Sequence, residues 1–340
     1  ITGTNGKSTS AFFIHSALNS LGIKCGYIGT LGFYLDKKIC DLPNTSPEIT
    51  EIYDMIIDAY SKGYRHMVLE VSSQGLAYRR LKGITFDYAV FTNLTQDHLD
   101  FHKTMGNYAL AKQELFYQLK PNGKAIINYD DPYKDYFLLE NNTNITYGFN
   151  GGDYHITDYQ LKKCSLEFTY QYLDHEYNIT APIIGKYNIY NLMVACIILD
   201  QLEIKNEYIE EAISKIKTPP GRLDIIRYKN NSIIIDYAHT ADAINNIILA
   251  VKDITEGNIY AVFGCTGNRD SLKRPIMTKI VTDMCKYAII TIDDPHDEDP
   301  NLIVNDMIDG LENNNYEICL DRKEAIIKGI NLLENNDVLL

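Results

Sequence analysis

The hydrophobic positions of the chain fall into two rhythms. Over 10–22 (AFFIHSALNSLGI) apolar residues recur at helical spacing, directly after a glycine-rich stretch, and predict an amphipathic helix. Short apolar runs at 66–71, 88–94 and 124–128 read as strands between helical segments. That alternation points to an α/β fold with a largely parallel sheet. From 145 to 185 the rhythm changes to alternating, Tyr-rich stretches such as Leu166-Glu167-Phe168-Thr169-Tyr170, which predict a small antiparallel subdomain. Helical patterns return at 187–203 and 206–217. Thr218-Pro219-Pro220-Gly221 then interrupts the chain and places a domain junction there, giving expected domains 1–218 and 219–340. Beyond it, strands are expected at 232–236, 259–263, 288–292 and 316–320, and 337–340 reads as one more.

Composition narrows the picture. A chain of 340 residues that is 45% hydrophobic can bury two cores. The net charge of −13 argues against nucleic acid as a partner, while local donors can still hold a small anion. No apolar run approaches the roughly 20 residues that span a bilayer, so membrane insertion is not expected. The seven cysteines are scattered, odd in number and never spaced C-x-x-C. Reduced thiols in a cytoplasmic protein are therefore expected, and the protein is expected to be a monomer. The chain lacks an initiator Met and opens almost on its glycine-rich loop. This predicts a piece cut at both ends, binding ATP weakly and inactive in isolation.

That loop, Gly3-Thr4-Asn5-Gly6-Lys7-Ser8-Thr9, is the strongest chemical signal. Glycines let backbone N–H groups face an anion, and a helix start just beyond adds a favourable dipole. Lys7 suits β and γ phosphate oxygens, and a hydroxyl of Ser8 or Thr9 suits Mg²⁺. The strict phosphate-loop pattern fails only at Ile1, where it has glycine.

In the form T-G-T-N-G-K-S-T the loop resembles that of the Mur ligase family, and the resemblance extends in order along nearly the whole chain. It includes Leu69-Glu70-Val71-Ser72-Ser73 with Arg80, Phe91-Thr92-Asn93-Leu94 leading to Asp97-His98-Leu99-Asp100-Phe101-His102, and Gly185-Lys186-Tyr187-Asn188-Ile189-Tyr190-Asn191. Gly221-Arg222, Asp236-Tyr237-Ala238-His239-Thr240 and Phe263-Gly264-Cys265-Thr266-Gly267-Asn268-Arg269-Asp270 with Lys273-Arg274-Pro275 complete it. The E-V-S-S, D-Y-A-H-T and K-R-P forms are similar to the tripeptide-forming (MurE) branch. The resemblance implies a phosphate-loop ATPase domain followed by a Rossmann-like α/β domain, with the latter incomplete here.

The resemblance further implies a ligase that uses ATP and Mg²⁺, acts through an acyl phosphate and takes UDP-N-acetylmuramoyl-dipeptide and a free amino acid. Both steps gather negative charge, so cations and fixed donors matter more than a protein nucleophile. Lys7, Glu70, His98 and Lys112 are the implied catalytic set. Ser8, Glu70, His98 and a carbamylated Lys112 are the implied metal ligands. Read alone, His98 would be a turn residue and Lys112 an exposed lysine of a helix over 108–119. Asn188 and Asn191 are implied for adenine, Arg222 and Asp236 for ATP phosphate and ribose. Thr45, Ser46, Ser72 and Arg80 are implied for the muramoyl-dipeptide, and Arg269 for the incoming amino acid's carboxylate.

The family's specificity segment is D-N-P-R, whose arginine grips the distal carboxylate of meso-diaminopimelate. This chain has Asp293-Asp294-Pro295-His296, followed by Asp297-Glu298-Asp299. Loss of a fixed cation and gain of acids favour a side-chain ammonium, so L-lysine is expected and meso-diaminopimelate is the alternative. A folylpolyglutamate synthase-like ligase and a nucleotide-binding regulatory module without catalysis are the rival readings.

Overall fold

The computed structural model describes residues 1–340. The chain divides into two compact units, 1–94 with 104–219, and 95–103 with 220–340. The later division between the units falls between Pro219 and Pro220, and no local pattern signals that 95–103 groups with the second unit.

In the first unit the elements run α1 (Lys7–Ser20), β1 (Cys25–Gly29), β2 (Gly32–Tyr34), β3 (Lys38–Cys40), α2 (Ile49–Ser61), β4 (His66–Leu69), α3 (Ser73–Ala77) and β5 (Phe86–Phe91). After α4 (Leu99–His102), which belongs to the second unit, come α5 (Met105–Gln113), β6 (Leu119–Asn128), β7 (Thr143–Gly148), β8 (Tyr154–Leu161), β9 (Leu166–Tyr172), β10 (His175–Ala181), α6 (Tyr187–Gln201) and α7 (Asn206–Ser214). Strands order as β3-β2-β1-β4 and β10-β9-β8-β7-β6-β5. Ile1 and Thr2 stitch these sheets together: Val71 N–H donates to Ile1 O at 2.8 Å, and Thr2 N–H donates to Val90 O at 2.8 Å.

Side chains of β5 and β6 alternate between two cores, as the two-residue repeat of a strand requires. Val90 and Ile126 enter one cluster with Phe13, Ile14 and Leu192, while Ala89, Phe91, Ala125 and Ile127 enter another with Ile52, Leu76 and Tyr108. Helices therefore cover both faces of the sheet. The antiparallel strands β8, β9 and β10 are attached to this sheet and continue it beyond β7. The helix expected over 108–119 ends earlier. α5 stops at Gln113, a 3-10 turn follows at Phe116–Gln118, and Leu119 already begins β6, two residues before Pro121. Proline disfavours helical geometry in the residue before it, so extended chain is the economical continuation.

The second unit is α/β as expected: β11 (Asp224–Tyr228), β12 (Asn231–Ile235), α8 (Ala241–Ile254), β13 (Ile259–Cys265), α9 (Lys273–Met284), β14 (Tyr287–Ile292), α10 (Pro300–Ile308), β15 (Tyr316–Ile318), α11 (Arg322–Leu332) and β16 (Val338–Leu339). The sheet order is β11-β12-β16-β13-β14-β15, parallel throughout except for the β11–β12 hairpin. All seven cysteines are free thiols. No helix is long and apolar enough to cross a membrane.

Candidate functional site

The phosphate loop is shaped by close backbone approaches. Gly3 (φ 148°) and Gly6 (φ 84°) occupy conformations that disfavour side chains, and there is no room for them. A Cβ on Gly3 would lie 1.9 Å from Thr92 Oγ1, and one on Gly6 would lie 2.4 Å from Asn191 Oδ1. Asn5 N–H donates to Asn93 Oδ1 at 2.8 Å and Thr92 Oγ1 donates to Asn5 O at 2.7 Å, which ties the loop to the end of β5. Helix α1 starts at Lys7 with no side-chain cap and no acid in its first turn. Its leading N–H groups and dipole therefore face outward toward any anion placed there. Lys7 Nζ folds back to donate to Gly3 O and Thr4 O, both at 2.9 Å.

Lys112 is the clearest departure from what its spacing alone suggests. It is 1% exposed, and its ammonium donates to Gly3 O at 2.7 Å, beside the Tyr108 ring. Two lysines distant in sequence thus share one carbonyl of the phosphate loop. Burying an ammonium is costly unless it is paired and hydrogen-bonded, so a lysine at this depth beside the phosphate loop marks a place suited to anionic oxygens.

Glu70, one residue past β4, is also 1% exposed. Its carboxylate accepts from Ser8 Oγ at 2.7 Å, from Thr30 N–H at 3.0 Å, from Thr30 Oγ1 at 3.2 Å and from the Tyr27 hydroxyl. Tyr27 and Thr30 were not singled out by sequence reasoning; no local motif signals a contact across some forty residues. One carboxylate and one hydroxyl beside a phosphate loop fit Mg²⁺, which binds through few protein groups and completes its shell with phosphate and water. No cluster of three or more His, Cys, Asp or Glu side chains suited to a metal occurs in the structure. Carbamylation of Lys112 would keep one N–H on Nζ, remove the positive charge and add two acceptor oxygens suited to a hard cation.

The residues expected to hold the dipeptide gather around Glu70. Ser46 Oγ donates to Glu70 O at 3.2 Å and accepts from Ser72 N–H at 2.9 Å. Arg80 donates to Ser46 O at 3.3 Å and pairs with Glu48 at 2.8 Å. Thr45 Oγ1 lies 3.0 Å from Thr30 Oγ1. Asn188 and Asn191 come under the phosphate loop as well, yet their amides are turned inward. Asn191 donates to Asn188 Oδ1 at 2.9 Å and accepts from Ser10 Oγ at 3.1 Å, while Asn188 donates to Ile184 O at 2.8 Å.

His98 belongs to the second unit. It adopts a left-handed backbone (φ 54°) next to buried Asp97, whose carboxylate also meets Lys273 at 2.8 Å and His239 at 3.4 Å. Burial pushes the Asp97 carboxyl up, but His239, His98 and Lys273 outweigh it and hold that carboxyl well below the usual range. In the same unit Asp236 accepts from Leu223 and Ala238 N–H, each at 2.8 Å, and Arg222 stacks 4.3 Å from the Tyr237 ring. Burial raises the Asp236 carboxyl, opposed by those two N–H groups and by Arg222.

Two loops of the second unit hold the residues expected to select the amino acid. One follows β13 and bears Arg269, which is exposed; the other follows β14 and bears Asp293, Asp294 and His296, all exposed. They are bonded to one another. Gly267 N–H donates to Asp294 O at 2.8 Å, Thr266 Oγ1 to Asp293 at 3.1 Å, and Asn268 N–H to Glu298 at 2.7 Å. The acids after His296 are not loose charge. Glu298 is paired with Arg274, which holds its carboxyl down at about 2, and Asp299 caps α10.

Comparison with known proteins bears on this arrangement. Residues 1–199 match the model of the Mur ligase middle domain, and residues 221–340 match that of the Mur ligase glutamate ligase domain. The chain is 38% identical over 347 residues to UDP-N-acetylmuramoyl-L-alanyl-D-glutamate–2,6-diaminopimelate ligase 1 of Clostridium acetobutylicum, covering all of this chain and 71% of that protein. A solved structure of a UDP-N-acetylmuramoyl-L-alanyl-D-glutamate–2,6-diaminopimelate ligase superposes with a TM-score of 0.68 at 31% identity, over 99% of this chain and 70% of that one. MurF of Thermotoga maritima in complex with ADP shares the fold, with a TM-score of 0.74 at 17% identity over 100% of this chain and 74% of its own.

Proposed function

The chain belongs to the Mur ligase family of ATP-dependent ligases, and from that premise we propose that it joins a diamino acid to a carboxylate of UDP-N-acetylmuramoyl-L-alanyl-D-glutamate. The observation that supports this most is the meeting, in one unit, of Lys7, Lys112 and Glu70 with Ser46, Ser72 and Arg80. In the proposed reaction a substrate carboxylate oxygen attacks the γ-phosphorus of ATP, ADP leaves, and an acyl phosphate results. The amine then attacks the acyl carbon, phosphate leaves, and the nitrogen loses a proton. Lys7 and the loop N–H groups hold the phosphates and supply fixed positive charge where the transferring oxygens gather negative charge. Mg²⁺ would neutralise phosphate charge. Glu70 and Ser8 are the residues that would hold it, with His98 and a carbamylated Lys112 proposed for a second ion. Arg222 and Asp236 are proposed for ATP contacts, and Asn188 and Asn191 for shaping the nucleotide end through the loop they underlie.

For the amino acid, the relatives' names favour diaminopimelate. The fold also weakens the electrostatic case against it, since Glu298 and Asp299 are already committed to Arg274 and to a helix cap. His296, standing where the family has arginine, favours lysine as the second reading. The test is phosphate release by the intact enzyme with the nucleotide-linked dipeptide and each diamino acid in turn. Release with neither amino acid would overturn the ligase reading. A larger kcat/KM for diaminopimelate or for lysine decides between the two.

A further inference from the structure

Arg274 is an unusual side chain for its surroundings. At 1% exposed it is a fully buried arginine, and its contacts do not resemble those of a surface ion pair. Nη1 meets Glu298 Oε1 at 2.6 Å and Asp306 at 2.9 Å; Nη2 meets Glu298 Oε2 at 2.7 Å and Thr266 O at 3.3 Å. The planar fork therefore grips one carboxylate with both arms, a geometry that lysine does not reproduce. Buried pairs of this kind add little net stability over apolar replacements, and their contribution is directional.

The direction here runs between the two amino-acid loops. Glu298 Oε2 accepts from Asn268 N–H at 2.7 Å as well as from Arg274, and Asn268 is the neighbour of Arg269 with a left-handed backbone (φ 53°). On the other side Glu298 N–H donates to Pro295 O at 3.0 Å, next to His296, which is itself left-handed (φ 47°). Gly267 closes the remaining gap: a Cβ there would lie 2.0 Å from Pro295 O. Glu298 thus stands between two uncommon backbone conformations, its carboxylate on Asn268 N–H and its own backbone N–H on Pro295 O, with Arg274 fixing the carboxylate from behind.

We propose that Arg274 and Glu298 are positioning residues that fix the separation between Arg269 and the 293–296 segment, and thereby the length of amino acid the enzyme accepts. The proposal rests on reading these loops as the amino-acid site. Neither residue touches substrate; each acts through the loop it orients.

The experiment uses the intact enzyme and its Arg274→Lys, Glu298→Gln and Arg274→Met/Glu298→Leu variants, with lysine, ornithine and diaminopimelate as amino acids. In the single variants KM for the preferred amino acid is expected to rise about tenfold, the scale of a small misplacement of a bound group. KM for ATP and for the nucleotide-linked dipeptide should stay within about twofold, and the spread of kcat/KM among the three amino acids should shrink about fivefold. The apolar double variant is expected to regain the unmodified enzyme's melting temperature but not its selectivity. Recovery of selectivity along with stability would overturn the proposal, as would an equal fall of kcat for all three amino acids. An unmodified enzyme that releases no phosphate with any of them sinks the ligase reading itself, whereas an active one whose variants keep their selectivity sinks only the positioning role.

Discussion

The phosphate-loop region of the first unit and the paired loops of the second are built from different materials. The first is framed by backbone and short polar side chains, with glycines pressed against Thr92 and Asn191 and a carboxylate surrounded by hydroxyls and an amide, and its two lysines bond the loop's own carbonyls. The second is held by long charged groups, with Arg274 and Glu298 at its centre and Arg269 and His296 left exposed. A triphosphate is the same molecule in every turnover, so a site shaped by the backbone suits it. An amino-acid side chain varies in length and charge, and a framework that carries exchangeable side chains on fixed loops suits that. On the proposed reading, common chemistry falls to one region and selectivity to the other.

Substitutions can break this contrast or sharpen it. Lys7→Met should lower amino-acid-dependent phosphate release about 10³-fold, the order found when a group facing transition-state charge is removed. A drop of less than tenfold would mean that the loop does not hold the transferring phosphates. Glu70→Gln should cost about 10²-fold in kcat and raise the Mg²⁺ needed for half-maximal rate, since a neutral amide is a poorer ligand for a hard cation. Gly267→Ala, which places a methyl against Pro295 O, should destabilise the second unit by about 2 kcal/mol in denaturant unfolding. Thr240→Ala removes the hydroxyl that accepts from Ala243 N–H at the start of α8 and should cost about 1 kcal/mol, leaving kinetic constants for the amino acid unchanged.

The smallest effect is one of acidity. The Glu298 carboxyl sits near 2 in the folded protein against 4.5 ordinarily, with Arg274 the main cause. Its contribution to stability is full above about 4.5 and fades as pH falls toward about 2, because the unfolded chain binds the proton first. Acid unfolding should therefore be steeper in that window for the unmodified protein than for Glu298→Gln. Equal slopes would show the pair to be unformed in solution.

Much of this was legible in the sequence where one stretch of chain carries its own signal. The loop before α1, the strand leading to Glu70 and the final strand were each read from local pattern. Strand β1 was not, because Cys-Gly-Tyr-Ile-Gly is too short and glycine-rich to announce itself, and with it went Tyr27. The antiparallel strands were recognised from their alternation, while their order in the sheet depends on pairing, which no single segment encodes. Lys112 looked exposed by spacing, and its burial follows from the packing of α5 beneath the phosphate loop. The acids 297–299 were read as loose negative charge, whereas Arg274 and a helix cap absorb two of them.

The near-contact of Gly267 with Pro295 has a practical corollary. Because the tight Gly267 turn and the Arg274–Glu298 pair maintain the frame and His296 projects from it, one codon can alter the exposed charge while the frame stays put. On the proposed reading of these loops, an inhibitor that leans on residue 296 would accordingly be escaped by point mutation. One that wedges against the glycine and proline backbones would leave resistance with few routes that preserve folding.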